Sequence, residues 1–244
     1  MPFSSGRLLR TAILLPIFAA VVSANVVLTP PAGLAVGDQY RLIFLTDLGM
    51  AATSGDISTY DTYVTNKANA PLSIINANNL LSILGVGGVT WQAVASTAAV
   101  DARDHIGGVF NTPVYRLNGV RLANDSADLW DGSLLSPVRN DDLGHDHNYP
   151  IWTGSNSNGT ASSNPLGSAT ATFGYSDYTN AQWIDFGSVI PSVGTAPNTD
   201  LRSIYGISSL LTLVPEPRTW TMLVAGAFLL CATRARARLT GVNG

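Results

Sequence analysis

The sequence predicts an α+β domain in which two early helices lie against an antiparallel sheet with long loops, and in which the first and last strands pair. Three observations predict it. Apolar segments with strand character open and close the body of the chain, at Asp38–Asp47 and Ser203–Leu213. Helical periodicity is confined to residues 53–84. Short β-rich runs then follow, separated by loops rich in Gly, Ser and Asn, with no internal repeat. Segregated helices and strands in this order point to the α+β class rather than to alternating βαβ units.

Each element has a local reason. Asp38-Gln39-Tyr40-Arg41-Leu42-Ile43-Phe44-Leu45-Thr46-Asp47 is an apolar run with a polar end, as a buried strand requires. Thr53-Ser54-Gly55-Asp56 supplies caps for a first helix, in which Ile57, Tyr60, Tyr63 and Val64 recur at helical spacing. Pro71 is placed to start a second helix carrying Leu72, Ile75, Leu80, Leu81 and Leu84, and Gly85-Val86-Gly87-Gly88 stops it. Val89 to Ala95 alternates as a strand and includes Trp91. Two β runs flank Asn118-Gly119 between Val114 and Leu122, which predicts a tight hairpin with a type I′ turn. Ile151-Trp152-Thr153-Gly154 and Gln182-Trp183-Ile184-Asp185 read as short strands within long loops. Ser203 to Leu213 reads as the closing strand. Pairing it with the first strand would bring the two ends of the body together.

The outer segments read as addresses rather than fold. Arg7 and Arg10 precede an apolar run from Thr11 to Val22, followed by Val22-Ser23-Ala24. That is the charge, apolar core and small-residue site of a signal peptide spanning residues 1–24, with cleavage expected after Ala24. At the other end, Pro215 and Pro217 lack backbone donors and terminate the preceding strand. The uncharged apolar run from Trp220 to Thr233 spans about 21 Å as a helix, short for a bilayer core of about 30 Å. Arg234, Arg236 and Arg238 follow and would hold that end in the cytoplasm.

Val214-Pro215-Glu216-Pro217, the short apolar helix and the arginine cluster together resemble the PEP-CTERM sorting signal of exopolysaccharide-producing bacteria. The resemblance implies that residues 214–244 are a sorting tail with a short transmembrane helix. It also implies an exosortase-type membrane enzyme as partner, reading Pro215, Glu216 and Pro217. Glu216 is the only glutamate of the chain, and every other acidic residue is an aspartate. The expected product is an exported protein of the cell surface or biofilm matrix, anchored transiently in the membrane before processing.

Between these ends, residues 25–213 form a body with seven basic residues against 15 aspartates, a formal charge of −8, whereas the whole chain is at −3. An acidic body lacks the basic footprint that nucleic acids and anionic polysaccharides require. Cys231, the only cysteine, lies in the tail, so the body has no disulfide, thiolate metal site or cysteine nucleophile.

A second resemblance lies within the body. It is carried by Leu42-Ile43-Phe44-Leu45-Thr46, Trp91-Gln92-Ala93-Val94-Ala95-Ser96, Pro113-Val114-Tyr115-Arg116-Leu117-Asn118-Gly119, Ala127-Asp128-Leu129-Trp130-Asp131-Gly132, Ile151-Trp152-Thr153-Gly154-Ser155 and Ile204-Tyr205-Gly206-Ile207-Ser208. These segments resemble a bacterial secreted family related to the endostatin branch of the C-type-lectin-like fold. The resemblance implies a C-type-lectin-like extracellular domain over residues 25–213. Its core and turn motifs carry the fold and not a ligand. The Glu-Pro-Asn, Gln-Pro-Asp and Trp-Asn-Asp motifs of calcium-dependent sugar binding are absent, and Trp130-Asp131-Gly132 does not replace them.

The densest polar segment runs from Asn124 to Asn148. Its carboxylates, Asp125, Asp128, Asp131, Asp141, Asp142 and Asp146, could offer oxygen ligands to Ca²⁺, although the spacing is not that of an EF-hand loop. In His145-Asp146-His147 both imidazoles would share one face of a strand, a geometry suited to zinc, with a third ligand expected from His105 or a distant aspartate. Trp91, Trp130, Trp152 and Trp183 read as core residues before they read as sugar-stacking platforms. No Gly-x-Ser-x-Gly elbow, His-Glu-x-x-His pair or phosphate loop is present. The reading is therefore a non-catalytic adhesion or polysaccharide-binding module. A hydrolase using paired aspartates and a purely structural matrix protein are the alternatives.

Overall fold

The computed structural model describes residues 28–188 and 194–214. The expected signal peptide and the sorting residues Pro215, Glu216, Pro217, Arg234, Arg236 and Arg238 lie outside the described residues. No helix among the described residues is long and apolar enough to cross a membrane.

The chain runs through β1 (Gln39–Leu45), α1 (Ile57–Ala68) and α2 (Ala77–Asn79), the last continuing as a π-helical turn at Leu80–Leu84. It goes on through β2 (Trp91–Ala93), α3 (Ala102–His105), β3 (Val114–Arg116), β4 (Arg121–Ala123) and α4 (Ser126–Leu129). The remaining strands are β5 (Pro150–Trp152), β6 (Thr170–Tyr175), β7 (Thr195–Pro197), β8 (Ser203–Ser208) and β9 (Leu211–Thr212). The strands form one sheet in the order β4-β3-β1-β8-β5-β6-β7, with β2 added on β8 and β9 on β1. Most pairings are antiparallel; β1 with β3 and β5 with β8 are parallel. The molecule is thus an α+β domain with a large, mostly antiparallel sheet and few helices.

The first and last strands pair at the centre, with Ile43 opposite Ile207 and Leu45 opposite Tyr205. The closing strand is not continuous. β8 pairs with the end of β1, and β9 with its start, where Gln39 faces Thr212. The register moves by one residue between the two, because the chain bulges at Ser209 and Leu210. Ser209 instead bonds Thr90, its N–H reaching Thr90 O at 2.7 Å. The described ends meet as expected: Pro30, Pro31, Leu213 and Val214 line one groove.

Both faces of β1 are buried, which is why its sequence is an apolar run rather than an alternating one. Tyr40, Leu42 and Phe44 enter a core with α1, Trp91 and Trp152. Ile43 and Leu45 enter a second core with Val114, Leu129, Trp183 and Tyr205. Trp91, Trp152 and Trp183 are buried, as the core reading expects, and Trp130 packs at the edge of the second core.

Local chemistry departs from expectation in four places. Asp56 caps α1 by accepting the Ser58 N–H at 3.0 Å, but the second helix does not begin at Pro71. Ser73 O binds the side chains of Asn76 and Asn79, and Asn76 becomes the cap, so α2 starts late and stays short. The 118–119 turn is not type I′, since no residue other than glycine has positive φ. The Gly119 N–H bonds Arg116 O and Asn118 Oδ1 accepts the Val120 N–H, which leaves Gly119 alone in the left-handed region, at φ 76°. Residues 181–183 form a 3₁₀ turn capped by Asn180 instead of a strand. β6 and β7 lie in a segment that reads as loop from sequence, because Gly, Ser, Asn and Pro crowd the residues on either side of them.

Candidate metal centre

The segment after Val138 folds back on itself because of one turn. Gly144, at φ 82°, donates its N–H to Asp141 O, and the Asp141 N–H reaches His145 O at 3.0 Å. A bridge between Asn140 and Asp146 and the bond from His147 N–H to Arg139 O complete a short hairpin. This hairpin is fastened to the end of β1, with the Leu45 N–H on Asn140 O at 3.0 Å and the Asp142 N–H on Leu45 O at 3.2 Å. The site therefore hangs from the central strand of the sheet.

In such a hairpin alternate residues face opposite sides. His145 and His147 point to one side, where Asp141 lies across the turn. Asp146 points to the other and pairs with Arg139 at 3.1 Å and Arg116 at 3.9 Å. Asp141 is fully buried. Its Oδ1 accepts the N–H groups of Leu143 at 3.0 Å and His145 at 2.7 Å. Its Oδ2 faces His147 Nε2 at 2.7 Å and His145 Nδ1 at 3.3 Å. The His147 ring is stacked on Tyr149, with centroids 4.4 Å apart and planes 17° apart. The two imidazoles remain partly exposed, at 43% for His145 and 23% for His147.

One ligand atom from each of Asp141, His145 and His147 lies within 4.8 Å of the others, a group that could hold a metal ion. It is the one such group of three or more among the described residues. A buried carboxylate needs hydrogen-bond donors or a cation, and the two facing imidazoles can give it an N–H or share a cation with it. The side-chain contacts gather one nitrogen of each imidazole about a single carboxylate oxygen, a mixed nitrogen and oxygen donor set.

The sequence pairs the two histidines correctly and misplaces their partner. The third group is Asp141, four residues upstream, and not His105 or a remote aspartate. His105 instead contacts Asp61 at 2.8 Å, beside α1. The other candidate aspartates serve local structure. Asp125 caps α4 by accepting the Asp128 N–H at 2.9 Å. Asp128 accepts from the backbone and side chain of Asn124, and Asp131 from the Ser133 N–H. Asp142 turns away from its neighbour and accepts the Asp47 N–H at 2.7 Å. Burial pushes its carboxyl up to about 7, against the opposing pull of the Asp47 N–H bond. The signal that could have found the third ligand is the spacing Asp-x₃-His-x-His with glycine before the first histidine.

No protein-family model matches this chain, and no curated protein matches it.

Proposed function

We propose that this chain is an exported, non-catalytic surface or matrix module that carries a divalent transition metal in its 139–147 hairpin and binds polysaccharide. The convergence of Asp141, His145 and His147 carries the metal part. Two imidazole nitrogens and one carboxylate oxygen suit Zn²⁺. Ca²⁺, which the density of aspartates favours from sequence, prefers oxygen donors throughout and is the competing outcome. The delivery part rests on Pro215-Glu216-Pro217 and the arginines after the apolar run, read by an exosortase-type enzyme. The C-type-lectin-like assignment is retained as part of the same reading, supported by the pairing of the first and last strands. The burial of Asp141 and Asp142 argues against that pair as the two carboxyls of a hydrolase, because neither reaches a polymer chain in solvent.

Calorimetric titration of chelator-treated protein with zinc and with calcium tests the metal. Zinc is expected to bind at one ion per chain, and His147→Ala to abolish that binding; a preference for calcium would overturn the assignment. Retention of the producer's own exopolysaccharide on immobilised protein tests the binding function, and self-association without any ligand would favour a structural matrix role instead. For delivery, Glu216→Ala or removal of residues 220–238 is expected to change surface retention while leaving the body folded. Unchanged fractionation in the producing cell would refute sorting.

A further inference from the structure

A second cavity adjoins the metal hairpin. It has a volume of about 210 Å³ and is lined by Asp47, Leu48, Tyr149, Leu201 and Arg202, among others. Two features distinguish it. Three large apolar side chains stand at its rim in water, with Leu48 61%, Leu201 74% and Tyr149 38% exposed. Its charged groups are already compensated: Asp47 pairs with Lys67 at 2.6 Å and Arg202 with Asp200 at 3.3 Å. The Arg202 guanidinium is fixed over the rings of Trp152 and Phe173, 4.8 and 4.3 Å from their centroids. Aliphatic and aromatic faces flanking a fixed donor and a fixed acceptor, with no net charge, fit a sugar ring. Its C–H faces pack on apolar groups while its hydroxyls bond both charged partners. The volume accommodates one pyranose-sized unit.

Two walls of this cleft are joined to the metal hairpin. Tyr149 is stacked flat on His147, and the Asp47 N–H is held by Asp142, the neighbour of Asp141. The imidazole already faces Asp141 at 2.7 Å, and a metal on it would add a further restraint that the stack passes to the Tyr149 ring forming the cleft wall.

We propose that this cleft binds a neutral hexopyranose unit of a polysaccharide, and that occupation of the Asp141–His145–His147 centre strengthens that binding through the His147–Tyr149 stack. The proposal rests on the metal reading above and names its ligand class and its regulation. Coupling between two sites is reciprocal, so the sugar must raise metal affinity by the factor by which the metal raises sugar affinity.

The test uses the full chain and the methyl glycosides of glucose, galactose and mannose, titrated by calorimetry with saturating zinc and after chelation. At least one glycoside is expected to bind about fivefold or more tightly with zinc, and zinc to bind more tightly by the same factor with that glycoside present. Leu201→Asp is expected to abolish glycoside binding and leave zinc binding unchanged, while Tyr149→Leu removes the mutual enhancement. Normal zinc binding with no glycoside bound overturns the cleft assignment and leaves the metal reading standing. Equal glycoside affinity with and without zinc overturns the coupling. Absence of zinc binding overturns both the coupling and the metal reading, and the zinc titration without sugar identifies that case by itself.

Discussion

Two neighbouring loops are equally acidic and do different work. Between Asn124 and Ser133, the carboxylates of Asp125, Asp128 and Asp131 turn back to their own backbone and close turns. Between Arg139 and His147, Asp141 closes a turn with one oxygen and presents the other to two imidazoles. The first loop packs only a short helix against the sheet edge, through α4 and β4, while the second is bonded to the end of β1 in the middle of the sheet. The comparison teaches that a run of aspartates is no measure of a cation site. What distinguishes the second loop is burial of one carboxylate together with two ring nitrogens that face it.

The contrast can be broken most directly at Asp141. Asp141→Asn is expected to weaken zinc binding by more than about 100-fold, since even partners that only orient a metal ligand are worth 10- to 100-fold. Asp128→Asn is expected to stay within about twofold of the unchanged protein, because its charge is exposed and screened. Calorimetry of both variants checks the pair; equal losses would place the ion between the two loops instead.

A second effect, on stability rather than on the ion, comes from Asp142, the residue beside the site that faces the sheet. Its folded carboxyl is held at about 7 by burial, against an ordinary value of 3.8. The folded state therefore holds the proton more tightly than the unfolded chain. The stability this contributes is complete below pH 3.8 and is lost as pH rises to about 7. Asp142→Asn keeps an acceptor for the Asp47 N–H and has no proton to lose. In urea unfolding with chelator present, the variant is expected to gain on the unchanged protein across that interval, by on the order of a few kcal/mol at its upper end. A parallel pH dependence in the two proteins would remove Asp142 from the account.

The smallest effect belongs to the first loop. Asp125→Ala removes the cap of α4 and is expected to cost about 1 kcal/mol of stability by chemical denaturation. Zinc affinity should not change. A loss of zinc in this variant would show that the two loops are coupled rather than contrasted.

Much of the fold is legible in the residues. β1 and β8 are visible as apolar runs because both of their faces are buried, so no polar alternation dilutes them. α1 is visible because Asp56 stands where a cap must be and Tyr60 and Val64 fall on one face. The start of α2 is less legible, since Pro71 and Asn76 both offer a helix start and only the side-chain bonds to Ser73 O decide between them. β6 and β7 are hidden because the Gly-, Ser-, Asn- and Pro-rich residues around them give a loop signal that outweighs the strand preference of Thr170, Thr172, Phe173 and Tyr175.

The sequence by itself determined the apolar central pair of strands, the acidic thiol-free body and the two histidines on one side of a strand, because period and charge are properties of the chain alone. Tertiary structure decided which aspartate joins those histidines and which walls the adjoining cleft receives. Gly144 turns Asp141 back toward His147, and docking on Leu45 buries it. Asp125, Asp128, Asp131 and Asp142 find backbone N–H groups of their own, and Asp146 pairs with Arg139 and Arg116. A carboxylate goes to the best donor within reach, and reach is set by the folded backbone rather than by spacing along the chain.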